Sequence, residues 1–572
     1  SNGSVFLINP NGVVIGNGAR IDTAGFLAST LDISDADFLA GNYRFSGGAG
    51  SVVNNGTITS GPGGEVVLIA ANVENRGVIN AQDGEIILAA GREVTLTSLD
   101  NTNLSYRFSA PADSAVNLGD LIAQNGAVGV FAGQVFNQGT ISANRIGQDS
   151  AGRIVLQADG ATNVSGDISA QGNGVPGGDI TILGNNITLS SASVDASGSN
   201  GGRVRVGGAF QGRGELPMAN RVRVDTASVI HADAQQNGNG GRIIVWSELS
   251  TRSFGRLTAR GGSVSGNGGF VETSSRGNLA FGEAPDVSAI GGEAGTWLLD
   301  PEDILIDSAG AASISSALDN GSNVQIKTAE GGDGEGNITV AAAIRKSSGP
   351  DAALGLQAHG RIDINAPIES IEGKLSVSLR AGRDISVSAP ITTNGGNYSA
   401  MVDPSLGDWS ESEPESVEPI TEGFEGAEEA SVHTGTESDP VLSEPPSENS
   451  PMDGEQPLAS EASSEANPAG PSVGGISQQA DVYTNGGNVE VDAGGDGLLH
   501  LSAAINAVNA ESGETGGTVH LLGNQVGLFD GAAIDASGAA GGGEILVGGG
   551  QQGLDTAIPN SQAVYLASTA SL

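Results

Sequence analysis

A short unit recurs along most of this chain: a glycine, a strand of four or five residues, then Asn, Gly or Ser. Gly64-Glu65-Val66-Val67-Leu68-Ile69 is followed twenty residues on by Gly84-Glu85-Ile86-Ile87-Leu88-Ala89. Later copies begin at Gly152, Gly178, Gly202 and Gly241, and most steps between successive units run about 20 to 30 residues, the range of stacked repeat architectures. A second recurrence reads Asn54-Asn55-Gly56-Thr57-Ile58, Asn75-Arg76-Gly77-Val78-Ile79 and Asn137-Gln138-Gly139-Thr140-Ile141. Arg203-Val204-Arg205-Val206 and Arg221-Val222-Arg223-Val224 alternate strictly, so each strand buries one face and wets the other. A hairpin meander could use such strands. The coil-length spacing, the Asn-Gly and Ser-Gly corners, and the return of similar residues to similar places favour a coil instead. The expected fold is all-β, a right-handed, single-stranded parallel β-helix of the pectin-lyase-like solenoid type. Turns stacked at ~4.8 Å pile apolar side chains into internal ladders, and Asn and Thr stack at the corners. About 500 residues outside one interruption would make about 20 coils, roughly 100 Å long.

Composition agrees. The 91 glycines among 572 residues argue for corners and against long helices, where each costs about 1 kcal/mol relative to alanine. No Gly-X-Y period points to collagen. The absence of Cys excludes disulfides and thiolate metal sites. No apolar run reaches the ~18 residues of a membrane helix. A net charge of −42 disfavours nucleic acid and anionic membranes as partners. The charge is uneven. All 24 basic residues lie at or before Arg383, and the remainder carries 29 carboxylates and no Lys or Arg.

Residues 402–473 interrupt the pattern with 18 Asp/Glu, no Lys/Arg, and many Ser and Pro. Such a composition cannot offset its ordering entropy, so a disordered acidic insertion is expected. Thr393-Asn394-Gly395-Gly396-Asn397 precedes it and Thr484-Asn485-Gly486-Gly487-Asn488 follows, which places it inside one solenoid. A longer repeat relates 178–230 to 517–572: Asp195-Ala196-Ser197-Gly198 matches Asp535-Ala536-Ser537-Gly538, and Gln211-Gly212 matches Gln552-Gly553.

Asn2-Gly3-Ser4-Val5-Phe6-Leu7-Ile8-Asn9-Pro10-Asn11-Gly12 leads to Gly25-Phe26-Leu27-Ala28-Ser29-Thr30-Leu31-Asp32-Ile33. This stretch resembles the haemagglutination-activity (two-partner secretion) domain of filamentous-haemagglutinin-like exoproteins. Residues 178–306, ending Trp297-Leu298-Leu299-Asp300-Pro301, resemble a module of large members of that group. The resemblance implies export through an outer-membrane β-barrel transporter, folding outside the cell, and a secreted or cell-surface location. It divides the chain into 1–160, the C-terminal part of the secretion domain; 161–401, β-helix repeats; 402–473, the insertion; and 474–572, where the β-helix resumes. The family's domain starts further upstream with a cap, so the chain is expected to be cut at both ends. A secretion role for Asn9, Pro10, Asn11 and Gly12 also rests on the resemblance. Their spacing alone gives a type I turn.

Other motifs have plain readings. Gly172–Gly177 fits G-x-G-x-x-G, but a strand follows where a dinucleotide site needs a helix. Gly470-Pro471-Ser472-Val473-Gly474 fits a nucleophile elbow yet sits in the acidic stretch without a preceding strand. Gly331–Asn337 resembles a single calcium nonapeptide, where β-rolls need tandem copies. His231, His359, His433, His500 and His520 lack ligand spacing. No cofactor or metal is expected. The receptor, whether a glycan or a protein, is left open. The reading is a non-enzymatic adhesin whose β-helix serves as a display scaffold. The alternatives are the stalk of a contact-dependent inhibition toxin and a β-helix polysaccharide-degrading enzyme, whose convergent carboxylates are not evident here.

Overall fold

A computed structural model describes residues 2–96, 113–146, 152–328, 334–407, 474–555 and 557–572. Residues 408–473, with His433 and Gly470–Val473, lie outside the described residues, as do the first positions of the calcium-like loop, 331–333.

One parallel sheet of 18 strands runs from Ser4–Ile8 to Ile545–Val547. Each strand in it opens one turn of a parallel β-helix. Two further parallel sheets close the coils, ten strands from Val13–Ile15 to Asn278–Phe281 and nine from Arg20–Thr23 to Arg256–Thr258. After Pro301 the closing sheets are new: eight strands from Ile304–Ile306 to Ala563–Leu566, and six from Ile344–Lys346 to Ala533–Asp535. The 18 strands fall short of about 20 coils because excursions consume chain. Ile86 registers with Val66, 20 positions back, but with Val128, 42 positions ahead. At ~4.8 Å per step the stack is about 80 Å long.

The interior is built by the alternation. Val66, Ile86, Val128, Ile154, Ile180 and Val204 stand in successive register and are fully buried. Each contributes roughly 1.5–3 kcal/mol of transfer free energy. At the corner between the two closing sheets the buried Asn54, Asn75, Asn117 and Asn137 form a continuous ladder. Each Nδ2 donates to the Oδ1 of the next, at 2.8, 2.9 and 2.8 Å. Asn54 Oδ1 also accepts from the Gly56 amide at 3.0 Å. The Asn-x-Gly recurrence is therefore the price of turning a corner in a dry interior: amide side chains replace the water that would otherwise serve the bent backbone. At the opposite corner, a Cβ on Gly84 would lie 1.9 Å from the Gly64 carbonyl oxygen, and one on Gly126 1.8 Å from that of Gly84. Coils can stack there only without side chains.

Two elements depart from strand-and-corner grammar. Helix α1, Asp35–Ala40, is capped by Ser34, which accepts from the Asp37 amide, and stops at Gly41 with φ of 72°. It leads into Tyr43–Ser46, which pairs antiparallel with Glu93–Leu96. This small ribbon covers the outer face of the 18-stranded sheet and forms a second core of Leu27, Leu31, Phe45, Val67, Ile69, Ile87, Val94 and Phe131. The strands beneath, such as Val66–Ala70, are buried on both faces, and so read as unbroken apolar runs. Helix α2, Ser308–Asp319, is capped by Asp307, whose carboxylate accepts from the Ala309 and Gly310 amides. It takes the place of a closing strand and points Ala311, Ile314, Ala317 and Leu318 inward. Beside it Trp297 is fully buried, edge-on to Phe281 at 5.4 Å, and donates from Nε1 to Thr273 Oγ1 at 2.8 Å.

The register crosses the acidic stretch. Tyr398 pairs with Val489 and Ile385 with Ile476. Tyr398 Oη donates to Gln478 Oε1 at 3.0 Å, and the Gly475 amide donates to Asp384 at 3.0 Å. The long repeat is also structural. Gln211 and Gln552 both adopt left-handed φ, 52° and 57°, followed by Gly212 and Gly553, each at 63°. Asp195 accepts from the Ser197 amide as Asp535 does from that of Ser537.

Candidate functional site

The N-terminal coils hold the expected secretion motif. Asn9, Pro10 and Asn11 are exposed at the corner after the first strand, and Gly12 is half-buried. The Gly12 amide donates to the Asn9 carbonyl at 3.1 Å, closing a β-turn. The Asn9 side chain braces it twice: Nδ2 donates to Gly12 O at 3.0 Å, and Oδ1 accepts from the Asn11 amide at 3.2 Å. The Asn9 amide in turn donates to Ser29 O at 2.9 Å, tying the corner to the next coil. Gly12 has φ of 130°, and a Cβ there would meet Ser51 O at 3.4 Å. Asn9, Asn11 and Gly12 thus each have a geometric task.

The Ala28-Ser29-Thr30 run sits directly above and is fully buried. Ser29 Oγ donates to Leu31 O at 2.8 Å and accepts from the Leu31 amide at 3.0 Å, turning the chain off the coil toward α1. Thr30 Oγ1 donates to Gly50 O at 3.3 Å, where the chain returns. The two sequence signatures therefore lie at one place, the mouth of the excursion. What sequence reasoning missed is the aromatic group that the excursion builds. Phe6 meets Phe38 edge-on at 5.3 Å and stacks with Tyr43 at 6.2 Å. Phe38 and its neighbour Leu39 are exposed. This corner sets an aromatic group beside the turn.

A second polar cluster lies on the outer face of the long sheet, beneath the loop 207–219. Glu272 is fully buried, and both its oxygens accept from the Gln211 amide, at 3.1 and 3.2 Å. Burial, reinforced by the neighbouring Asp300, pushes its carboxyl up to about 8. Burial likewise pushes Asp300 up to about 6, opposed by Lys327 and Arg213. Arg242 packs against the rings of Phe210 and Phe270, 4.5 and 4.8 Å from their centres, and the two rings meet edge-on at 5.7 Å. A carboxyl pair beside arginines is a pattern that glycan-cleaving sites use, but Glu272 is shut beneath the loop and faces no groove.

The remaining candidates are placed as follows. Gly172–Gly177 forms a corner before the strand Asp179–Leu183. Asp303 carboxylate oxygens accept from the Glu335 and Asn337 amides at the calcium-like loop. His231 Nδ1 pairs with Thr258 Oγ1 and His359 Nδ1 with Leu406 O, both at 2.8 Å, while His500 stacks on Phe529 at 4.2 Å. Among the described residues no group of three His, Asp or Glu is placed to hold a metal ion.

Residues 1–170 match the family model of the TPS secretion domain. The chain is similar to two heme/hemopexin-binding proteins of Haemophilus influenzae. One is 36% identical over 113 residues, 18% of this chain and 12% of that protein; the other is 46% identical over 46 residues, 8% and 5%. The matches thus span a small part of these relatives' length. Among solved structures, the HMW1 secretion domain from Haemophilus influenzae is 38% identical, with a TM-score of 0.47, covering 52% of this chain and 80% of that one.

Proposed function

Because this chain belongs to the exoproteins of the two-partner secretion family, we propose that it is the stem of a non-enzymatic adhesin, displayed at the cell surface. Export by an outer-membrane transporter partner and a secreted destination come with the family. Attachment is the further step. The observation that supports it is the unbroken stack of 18 coils, each hydrogen-bonded only to its neighbours. Such a quasi-one-dimensional fold can grow turn by turn as it emerges, and it holds side-chain faces far from its anchor. The Asn9–Gly12 turn and the aromatic corner beside it are then the elements read by the transporter. The test is expression of the protein with its leader, in cells with and without the cognate barrel. Export should need the barrel and fall when Asn9 is replaced by Ala. Cells displaying the protein should attach to host or neighbouring cells, and cells displaying only the coils up to residue 177 should not. Equal attachment by both would refute the adhesive role.

A further inference from the structure

The coils between Arg153 and Arg276 invert the charge of the chain. They hold 11 of its 24 basic residues against nine carboxylates, in a protein whose net charge is −42. Most of these arginines are engaged. Arg203 lies 3.8 Å from Asp179, Arg256 3.6 Å from Glu283, Arg260 2.7 Å from Asp233 and Arg276 3.3 Å from Glu248. Arg221, Arg223 and Arg252 differ. All three are exposed, and none of their side chains has an ion pair or hydrogen bond to another described residue. The register brings them together. Arg221 and Arg223 point outward from one strand two positions apart, and Arg223 pairs directly with Arg252 on the next. Spacings of about 4.8 Å between strands and about 6.6 Å along one place three guanidinium groups within reach of a single anion. Like charges in adjacent register repel. Nothing in the packing requires arginine there, since Ser250 and Asn278 fill the neighbouring outward positions.

The same face continues without charge. Below Arg223 the outward column runs Thr188, Asn163, Phe136. These residues, with Gln138, Ser165 and Ser190, line a shallow depression. The surface is therefore a strip with a ring and hydroxyl and amide groups at one end, and three free guanidinium forks at the other.

We propose that this strip binds a linear polysaccharide bearing carboxylates, a polyuronate, with the acid groups at Arg221, Arg223 and Arg252 and the neutral sugar edges along Thr188, Asn163 and Phe136. The guanidinium fork matches a carboxylate bidentately. Hydroxyls and amides serve sugar hydroxyls, and the ring packs on a sugar's C–H face. A densely charged polymer is the poorer fit. Duplex DNA carries one charge per ~1.7 Å, more than three guanidinium groups on one short strip can match. This inference rests on the adhesin reading, because it names what such a surface would hold.

The test uses the purified chain, so that its failure is separable from failure of cell attachment. Binding to immobilised polygalacturonate is measured beside neutral dextran, dextran sulfate, poly-glutamate and single-stranded DNA. Retention on polygalacturonate and not on dextran is expected, weakening with salt. The triple variant R221S/R223S/R252S should lose at least about tenfold in affinity. A charge-matched control, R20S/R44S/R383S, should lose less than twofold. The single variant R252Q provides the reading if the triple variant folds poorly. Equal loss in both triple variants would mean nonspecific charge and overturn the site. A preference for the sulfated chain, the polypeptide or DNA, with the same dependence on the three arginines, would overturn the polyuronate assignment. If cells attach but the purified chain ignores polygalacturonate, the strip is not the adhesive surface. If the chain binds and cells do not attach, the strip stands and the adhesin reading falls.

Discussion

Replacing Glu272 by Gln should remove a pH-dependent weakness from the middle of the stack. In the folded chain the carboxyl is held up to about 8, against an ordinary value of 4.5. Between those two values the folded state keeps a proton that the opened state has released. Opening therefore becomes easier as pH rises. The stability is complete below about pH 4.5 and declines until the folded group itself ionises near pH 8. The whole interval corresponds to roughly 5 kcal/mol, and at pH 7 roughly 3 kcal/mol of it has been lost. Asp300, also held up by burial, adds in the same direction. Glutamine keeps an oxygen to accept from the Gln211 amide and has no proton to lose. The opening in question is local: the loop 207–219 must lift for water to reach Glu272. Hydrogen exchange of the backbone in 207–219 and 270–275 reports it. Wild type and variant are compared at each pH, so that intrinsic exchange rates cancel. From about pH 5 to about pH 7.5 the wild type should lose protection by two orders of magnitude, the equivalent of about 3 kcal/mol, and the variant should lose much less. Parallel curves would show that Glu272 ionises normally, and that the buried site is wetter than its geometry states.

Three more outcomes are expected. Asn117→Ala removes the acceptor of Asn75 and the donor to Asn137 at once, and should destabilise the N-terminal coils by about 2–4 kcal/mol in urea titration; an unchanged midpoint would show that water substitutes for the ladder. Gly84→Ala sets a methyl 1.9 Å from the Gly64 carbonyl, and should separate the coils at that corner, seen as new protease cleavage in 60–90, whereas a fully resistant chain would refute the close approach. Replacing 408–473 by a few Gly and Ser should not lower the melting temperature. The Tyr398–Gln478 and Gly475–Asp384 bonds already close the register, and each halving of a closed loop relieves about 0.6 kcal/mol; a lower melting temperature would mean the stretch itself supports the coils.

The coil grammar was legible because each coil repeats the same local problem. Alternating Val and Ile at strand spacing, Gly at one corner and Asn at the other are short-range necessities, and the residues that meet them stand in the sequence at coil intervals. What escaped is non-local. The ribbon Tyr43–Ser46 and Glu93–Leu96 joins segments from two different excursions, and neither alone looks unlike a loop. The hint was Val66–Ala70, apolar where alternation should have placed polar residues outward. Helix α2 hid for another reason: its Ala- and Ser-rich sequence has little amphipathic contrast, and its inward face is set by the coil that receives it. At the candidate sites, the Asn9–Gly12 turn could be read from four letters. The convergence of Arg221, Arg223 and Arg252 could not, because it depends on which strands stack.

The change of closing sheets after Phe281 has a mechanical meaning. Up to Thr258 three sheets bind each coil to the next, and from Ile344 onward three do so again. At one step, from Phe270–Ser275 to Thr296–Pro301, the long sheet is the one strand ladder that continues; the next step, to Asn323–Lys327, already has a second ladder in Ile304–Ile306 with Ile338–Val340. Pulled along its axis, the stack would carry the same load at that first step on one ladder as it carries on three along most of its length. Heated, it would have two cooperative blocks meeting at Trp297 and α2, so that a cut or a slip on one side need not propagate to the other. A fibre with such a fuse can shed its outer segment while the coils nearest the secretion domain stay folded.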